Sequence, residues 1–253
     1  MGYMTPIQED SREGVTMRIH RFIEKRPALR AIPTQDPAVL HYTIEKTDIH
    51  QLEITLQNGA TLVEPGALQY MFGQLQAEVI RHENKGFLAR AVSSAGTGES
   101  AFATMYTGTG TIWCEPSRKH FILATMDADS DALLLDDKAF YACSAGISLT
   151  SHRHNSLAGV MSGSGLVQPK LTGRGVFAVE SPVPVEEVQT VELSHGQELV
   201  VDGDIMLMYS ATLTVEIGPL VRGLRNAMRS GEGLVYRFRG NGTVWLTPTA
   251  KVS

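Results

Sequence analysis

Residues 107–116 read "TGTGTIWCEP", and close echoes stand at 172–182, "TGRGVFAVESP", and at 239–248, "RGNGTVWLTP". The prolines that close the three phrases, Pro116, Pro182 and Pro248, lie 66 residues apart, and the Gly-x-Gly pairs open at Gly108, Gly173 and Gly240. Ahead of each phrase stands a shorter one: "TGES" at 97–100, "GSGL" at 163–166 and "GEGL" at 231–234. Earlier still come "TLVEPGALQYM" (61–71), "LLLDDKAFYAC" (133–143) and "LVVDGDIMLMY" (199–209). A fixed order of phrases repeated at one period predicts copies of one structural unit. The chain divides accordingly into an N-terminal arm over 1–36 and β repeats over 37–116, 117–182 and 183–253.

The units read as β structure. Their phrases are short runs of Val, Ile, Leu, Thr and aromatic residues bounded by Gly, Asp, Asn or Pro, which is strand punctuation. Gly-x-Gly between two such runs predicts a hairpin turn, because glycine reaches positive φ without steric cost. Along "GTIWCEP" and "GTVWLTP" side chains alternate. Ile112, Cys114, Val244 and Leu246 are expected on the core side, with Trp113 and Trp245 on the other. The second copy has one extra residue before its proline, and Ala178 stands as the counterpart of the tryptophans. A short helical insertion is expected in each unit, at "KGFLARAVSS" (85–94), "NSLAGVMSG" (155–163) and "GPLVRGLRNAMRSGEG" (218–233). In the last, Leu220, Leu224 and Met228 fall on one helix face, and Arg222, Arg225 and Arg229 on another. The expected fold is therefore all-β: three tandem pseudo-symmetric units with short helical insertions. The arm is polar, basic and broken by Pro27, Pro33 and Pro37. It is expected to be extended or partly helical and able to cover the first unit's edge.

Composition bounds the function. Of 253 residues, 43% are hydrophobic and 19% charged, with a net charge of −5. That acidic balance argues against nucleic-acid binding over the general surface. No apolar run approaches the roughly 18–20 residues that span a bilayer as a helix. The N-terminus has no secretory pattern, and Glu9, Asp10 and Glu13 argue against a transit peptide. A cytoplasmic location is expected. Two cysteines, Cys114 and Cys143, sit in strand-like stretches and read as small buried hydrophobes.

The ordered series "VEPGALQYM", "TGES", "TGTGTIW" and "GEGLVYRFRGNGTVWL" resembles the altered-inheritance-of-mitochondria family, over about residues 40 to 250. The resemblance implies a compact all-β unit like that of the trp RNA-binding attenuation protein, of β-sandwich or double-stranded β-helix-like kind, present three times per chain. It also implies assembly into rings of about nine to eleven units, and brings with it no catalytic residues. Three chains of three units make nine, so a homotrimer closing a nine-unit ring is expected, with Trp113 or Trp245 covered between units or chains.

Several constellations bear on chemistry. His152 and His154 in "SHRHN" share one side of a strand and form a possible imidazole pair for a metal. The glutamate that a cupin-type site would place a few residues on is replaced by Ala158 and Gly159, and His195 is a possible third ligand. Ser164 stands between glycines, but Ser162 occupies the first glycine position of a nucleophile elbow. No glycine-rich stretch ends in the Gly-Lys-Ser/Thr of a phosphate loop. Glu99 and Glu232 recur after a glycine and read as turn carboxylates. Basic residues cluster in the same slot of each unit: Arg81, His82, Lys85 and Arg90, then His152, Arg153 and His154, then Arg222, Arg225 and Arg229. On one face of an assembly they would suit an anionic lipid, a nucleic acid or an acidic protein. The functional expectation is a non-enzymatic oligomeric scaffold or binding module without a cofactor. The alternative is a cupin-like metal-dependent enzyme or binder centred on His152 and His154.

Overall fold

The computed structural model describes residues 2–24, 49–81, 102–154, 166–220 and 234–250. It is all-β, and every strand pairing is antiparallel. In the first sheet the strands run β1 (Gly2–Arg12), β2 (Val15–Glu24), β3 (Ile49–Val63), β8 (Phe140–Ser144), β11 (Gly175–Ser181) and β6 (His120–Met126). β3 also pairs with β5 (Phe102–Cys114), which pairs in turn with β4 (Leu68–Arg81). The second sheet runs β12 (Gln189–Leu193), β17 (Gly242–Leu246), β14 (Met206–Ser210), β7 (Ala132–Leu135), β10 (Leu166–Gly173) and β9 (Ile147–His154). A third sheet has β16 (Leu234–Arg239) between β13 (Glu198–Asp202) and β15 (Thr214–Pro219).

Two-residue alternation shapes these strands. Leu52, Ile54 and Leu56 on β3 are buried while Glu53 and Thr55 between them are half-exposed. β8 is buried along its whole length, because Ala142 faces one apolar cluster and Cys143 another. The first sheet curls into a nearly closed barrel around Met17, Leu52, Ile54, Ile112, Ala142, Val176 and Ala178. Side chains stitch its remaining gap. Gln8 on β1 donates its amide to the Leu123 carbonyl of β6 at 3.0 Å and accepts the Leu123 N–H at 3.4 Å. Arg12 donates to the Met126 carbonyl at 2.8 Å.

Two expectations need correction. The strands flanking Gly-x-Gly do not form a hairpin. β5 runs straight through Gly108 and Gly110, whereas β10 and β11, on either side of Arg174, belong to different sheets. In the second and third copies the motif is a corner between sheets, from β10 to β11 and from β16 to β17, whereas in the first it lies within the single strand β5. Gly108 and Gly173 have φ of +123° and +107°, and a Cβ there would lie 2.1 Å from the Gln74 carbonyl oxygen and 2.5 Å from that of Gly146. The second concerns the arm, which covers the first unit's edge as expected but as a strand hairpin and not a partly helical segment. Its residues 2–24 are the β1–β2 hairpin, and β2 lies antiparallel along β3. Glu13 and Gly14 turn it with φ of +50° and +80°. Among the described residues there is no α-helix, only one-turn 3-10 helices at Val185–Glu187 and Gly203–Ile205. The helical expectations over 85–94, 155–163 and 221–233 lie outside the described residues, and Gly218 and Pro219 end β15 instead.

Candidate functional site

The turn "EPGA" after β3 builds an acidic cleft. Glu64 N–H donates to the Tyr141 carbonyl (2.8 Å), Ala67 N–H to the Glu64 carbonyl (3.2 Å), and Glu115 N–H to the Ala67 carbonyl (2.7 Å). The resulting cleft of about 250 Å³ is lined by Glu64, Glu115, Ser117, Tyr141 and Glu180. Glu180 is engaged by the Ser117 hydroxyl at 2.6 Å and the Lys119 ammonium at 2.5 Å. Burial, with Glu180 adding to it and Lys119 opposing, pushes the Glu64 carboxyl up to about 7.

A second cleft of about 170 Å³ follows the same plan, lined by Lys119, Asp136, Lys138, Glu180, Asp204 and Thr247, among others. Asp136 N–H donates to the Leu207 carbonyl (2.8 Å), Ala139 N–H to the Asp136 carbonyl (3.1 Å), and Glu180 N–H to the Ala139 carbonyl (2.8 Å). Burial first, then the neighbouring Asp137, raises the Asp136 carboxyl to about 6. Two half-buried carboxyls with raised proton affinity can hold a proton or face a cationic group. Sequence reasoning passed over both. The signal was present: an acid opens the turn in each recurring phrase, as Glu64, Asp136 and Asp202.

His152 and His154 do lie together on β9, ring centroids 4.7 Å apart. His154 is committed elsewhere. Its Nε2 lies 2.8 Å from Gln168 Oε1 and 3.1 Å from the Tyr209 hydroxyl, which itself donates to Gln168 Oε1 at 2.7 Å. With that hydroxyl proton assigned, the proton between His154 and Gln168 sits on His154 Nε2. Burial lowers both imidazoles, and for His152 the charge of Lys170 adds to it. Among the described residues no group of three or more His, Cys, Asp or Glu is placed to hold a metal. His195 lies exposed in the turn between β12 and β13.

The tryptophans occupy two environments. Ile112, Cys114, Val244 and Leu246 are buried, while Trp113 and Trp245 are half-buried. Trp245 packs against the cluster of Leu135, Phe140, Phe177, Leu207 and Met208. Trp113 stacks on Tyr70 of β4 (centroids 5.9 Å, planes 18° apart), and His20 of the hairpin covers it at 4.8 Å. His20 Nε2 contacts Glu53 at 2.6 Å, and Arg18 bridges Glu53 (3.0 Å) and Glu9. Both cysteines are free, and burial pushes their thiols up to about 12. Of the basic residues, Arg153 is exposed on β9 and Arg81 ends β4. Lys85, Arg90, Arg222, Arg225 and Arg229 lie outside the described residues.

Residues 42–249 match the model of a family described as mitochondrial biogenesis AIM24. The chain belongs to that AIM24 family. A crystal structure of a Streptococcus pyogenes protein, solved by a structural-genomics consortium, is similar in fold. It is 20% identical with a TM-score of 0.57, covering 81% of this chain and 90% of that one. No curated protein matches the chain. The matched residues include "EPG" at the first acidic cleft and "GNGTVWL" at the Trp245 corner. Among the described residues no helix is long and apolar enough to cross a membrane.

Proposed function

We propose that this AIM24 protein is a non-enzymatic, self-associating building block made of three copies of one β unit. The observation that carries this is a backbone seam repeated inside the chain. β3 meets β8 with Leu62 opposite Cys143 and Val63 opposite Ala142, and β7 meets β14 with Leu134 opposite Tyr209 and Leu135 opposite Met208. Leu62 matches Leu134 and Cys143 matches Tyr209 in the recurring phrases, as do Val63 and Leu135, and Ala142 and Met208. The bonds that close the turns recur too, with Glu115, Glu180 and Thr247 donating to Ala67, Ala139 and Ile205. Even a side-chain bond repeats: Ser144 Oγ accepts from Val176 N–H (3.1 Å) and Ser210 Oγ from Thr243 N–H (3.0 Å).

A unit that buries its faces only against neighbours is the physical basis of a scaffold. The family description associates the chain with mitochondrial biogenesis, a setting in which an organising part needs surface and not chemistry. A homotrimer closing a nine-unit ring is the assembly proposed. Sedimentation equilibrium tests it: three times the 27.5 kDa chain mass is expected, and a stable monomer at micromolar concentration would overturn it. The partner proposed for the assembly is anionic, met by Arg153 and the basic run Arg222, Arg225 and Arg229. Flotation with anionic vesicles is expected to show salt-sensitive binding that is lost when those three arginines are changed to Glu.

A further inference from the structure

Edge strands present unpaired N–H and C=O groups to any strand that reaches them, and proteins guard such edges with charge, proline or a covering segment. Among the described residues two edges hold stretches without charge or proline, Leu199–Val201 between Glu198 and Asp202 on β13 and Leu68–Gly73 on β4. β13 pairs only with β16, and β4 only with β5. Both expose apolar residues: Val200 on β13 is 43% exposed, and Tyr70, Met71 and Phe72 on β4 are 50%, 40% and 60% exposed.

The two internal seams show what belongs on these edges. In the recurring phrases Val63, Leu135 and Val201 share one slot, and Tyr70, Ala142 and Met208 share another. The chain joins Val63 to Ala142 and Leu135 to Met208. One combination is left, Val201 with Tyr70, and these two residues lie on the two open edges. The sheets show the same gap. The six-stranded sheet joins β12-β17-β14 to β7-β10-β9, whereas β13-β16-β15 has only the second half of that plan. The missing half corresponds to β3-β5-β4.

We infer that β13 of one copy pairs antiparallel with the first half of β4 of a second copy, Leu199 opposite Phe72, Val200 opposite Met71 and Val201 opposite Tyr70. The inference rests on the self-associating reading above and adds the register. Asp202 N–H then donates to the Gln69 carbonyl, as Glu64 and Asp136 donate to Tyr141 and Leu207. Gly73 N–H donates to the Glu198 carbonyl, as Ala145 and Ala211 donate to Ala60 and Ala132. The stacked Tyr70 and Trp113 cover the cluster of Leu193, Val201, Met206, Phe238 and Leu246, the place that Met208 and Trp245 take one seam earlier. A third acidic cleft forms only there: Asp202 and Thr247 of one copy are closed by Gln69 and Glu115 of the second. The contact is head-to-tail, so each copy offers one edge of each kind and closure requires a ring.

Cross-linking tests the register. In both seams backbone bonds alternate, and the Thr61–Ser144 and Leu133–Ser210 positions are the pairs that do not exchange them. Such pairs bring Cα atoms to about 4.5 Å, within disulfide range. The double variant Leu199→Cys/Phe72→Cys of the full chain, mildly oxidised, is expected to give covalent species of two and three chains on a non-reducing gel. The slipped pair Leu199→Cys/Met71→Cys places its sulfurs on opposite faces and is expected to give little. The buried native thiols stay out of the reaction. Equal or absent cross-linking in a protein that still sediments as an oligomer overturns the register and leaves self-association standing. A monomeric wild type overturns both. Hydrogen exchange of the wild type needs no variant: protection of the Asp202 and Gly73 amides that is lost on dilution is expected, and rapid exchange of both in the oligomer also overturns the pairing.

Discussion

At the scale of the residue, the clefts make the sharpest statement. The Glu64 carboxyl is raised from its ordinary 4.5 to about 7, so the folded state holds its proton more tightly than the unfolded chain. Stability from this group is full below about pH 4.5 and is lost as pH rises to about 7. The whole effect is on the order of 3 kcal/mol. Glu64→Gln is therefore expected to leave the melting temperature at pH 4.5 nearly unchanged and to raise it at pH 8 by roughly 5–10 °C. An unaltered pH profile by calorimetry would refute the assignment. Gln168, 1% exposed, accepts from both Tyr209 and His154. Gln168→Leu removes the acceptor shared by the buried Tyr209 hydroxyl and the half-buried His154 and is expected to cost about 1–3 kcal/mol, partly recovered on adding Tyr209→Phe. Denaturant titration of the single and double variants reads this. Stoichiometric metal in the purified protein that vanishes in His154→Ala would instead favour the metal-binding alternative.

At the scale of the element, the corner glycines and the hairpin carry the expectations. Gly173→Ala pushes a Cβ to 2.5 Å from a carbonyl oxygen at φ of +107°. A backbone contact cannot swing aside, so a loss of about 3 kcal/mol or more in unfolding free energy is expected. Gly66→Ala meets no atom within 4 Å and has only its φ of +80° to accommodate, so about 1 kcal/mol is expected. Comparable midpoints for the two variants would sink the corner interpretation. Gln8 joins β1 to β6 through both backbone groups of Leu123. Gln8→Ala is expected to speed exchange of the Leu123 amide while leaving the far side of the barrel, at Ile54, protected.

At the scale of the whole molecule, β13 and β4 leave apolar edges open, and the proposed pairing would couple folding to association. A protein whose open edges close against copies of itself is expected to melt at a temperature that rises with concentration. Calorimetry over a hundredfold dilution series checks this, and a constant melting temperature would argue that the chain is complete alone. Val200→Lys puts a charge on the β13 edge and is expected to weaken that pairing, lowering the melting temperature at a given concentration.

Much was determined by the sequence by itself. Strand-forming composition and period-two alternation specify an all-β chain, since they act through neighbours a few residues apart. The recurring phrases are equally local, and the burial of Ile112, Cys114, Val244 and Leu246 follows from alternation alone. What only the tertiary structure decided is where each strand goes after its glycines. Glycine permits a reversal or a kink with equal ease, and the choice is made by the carbonyls of Gln74 and Gly146 packed against the corner. The hairpin on β3, the commitment of His154 to Gln168 and Tyr209, and the raised carboxyls of Glu64 and Asp136 are of the same kind. Each depends on groups brought together from distant parts of the chain, and burial and hydrogen bonding between them do not exist until the sheets have closed.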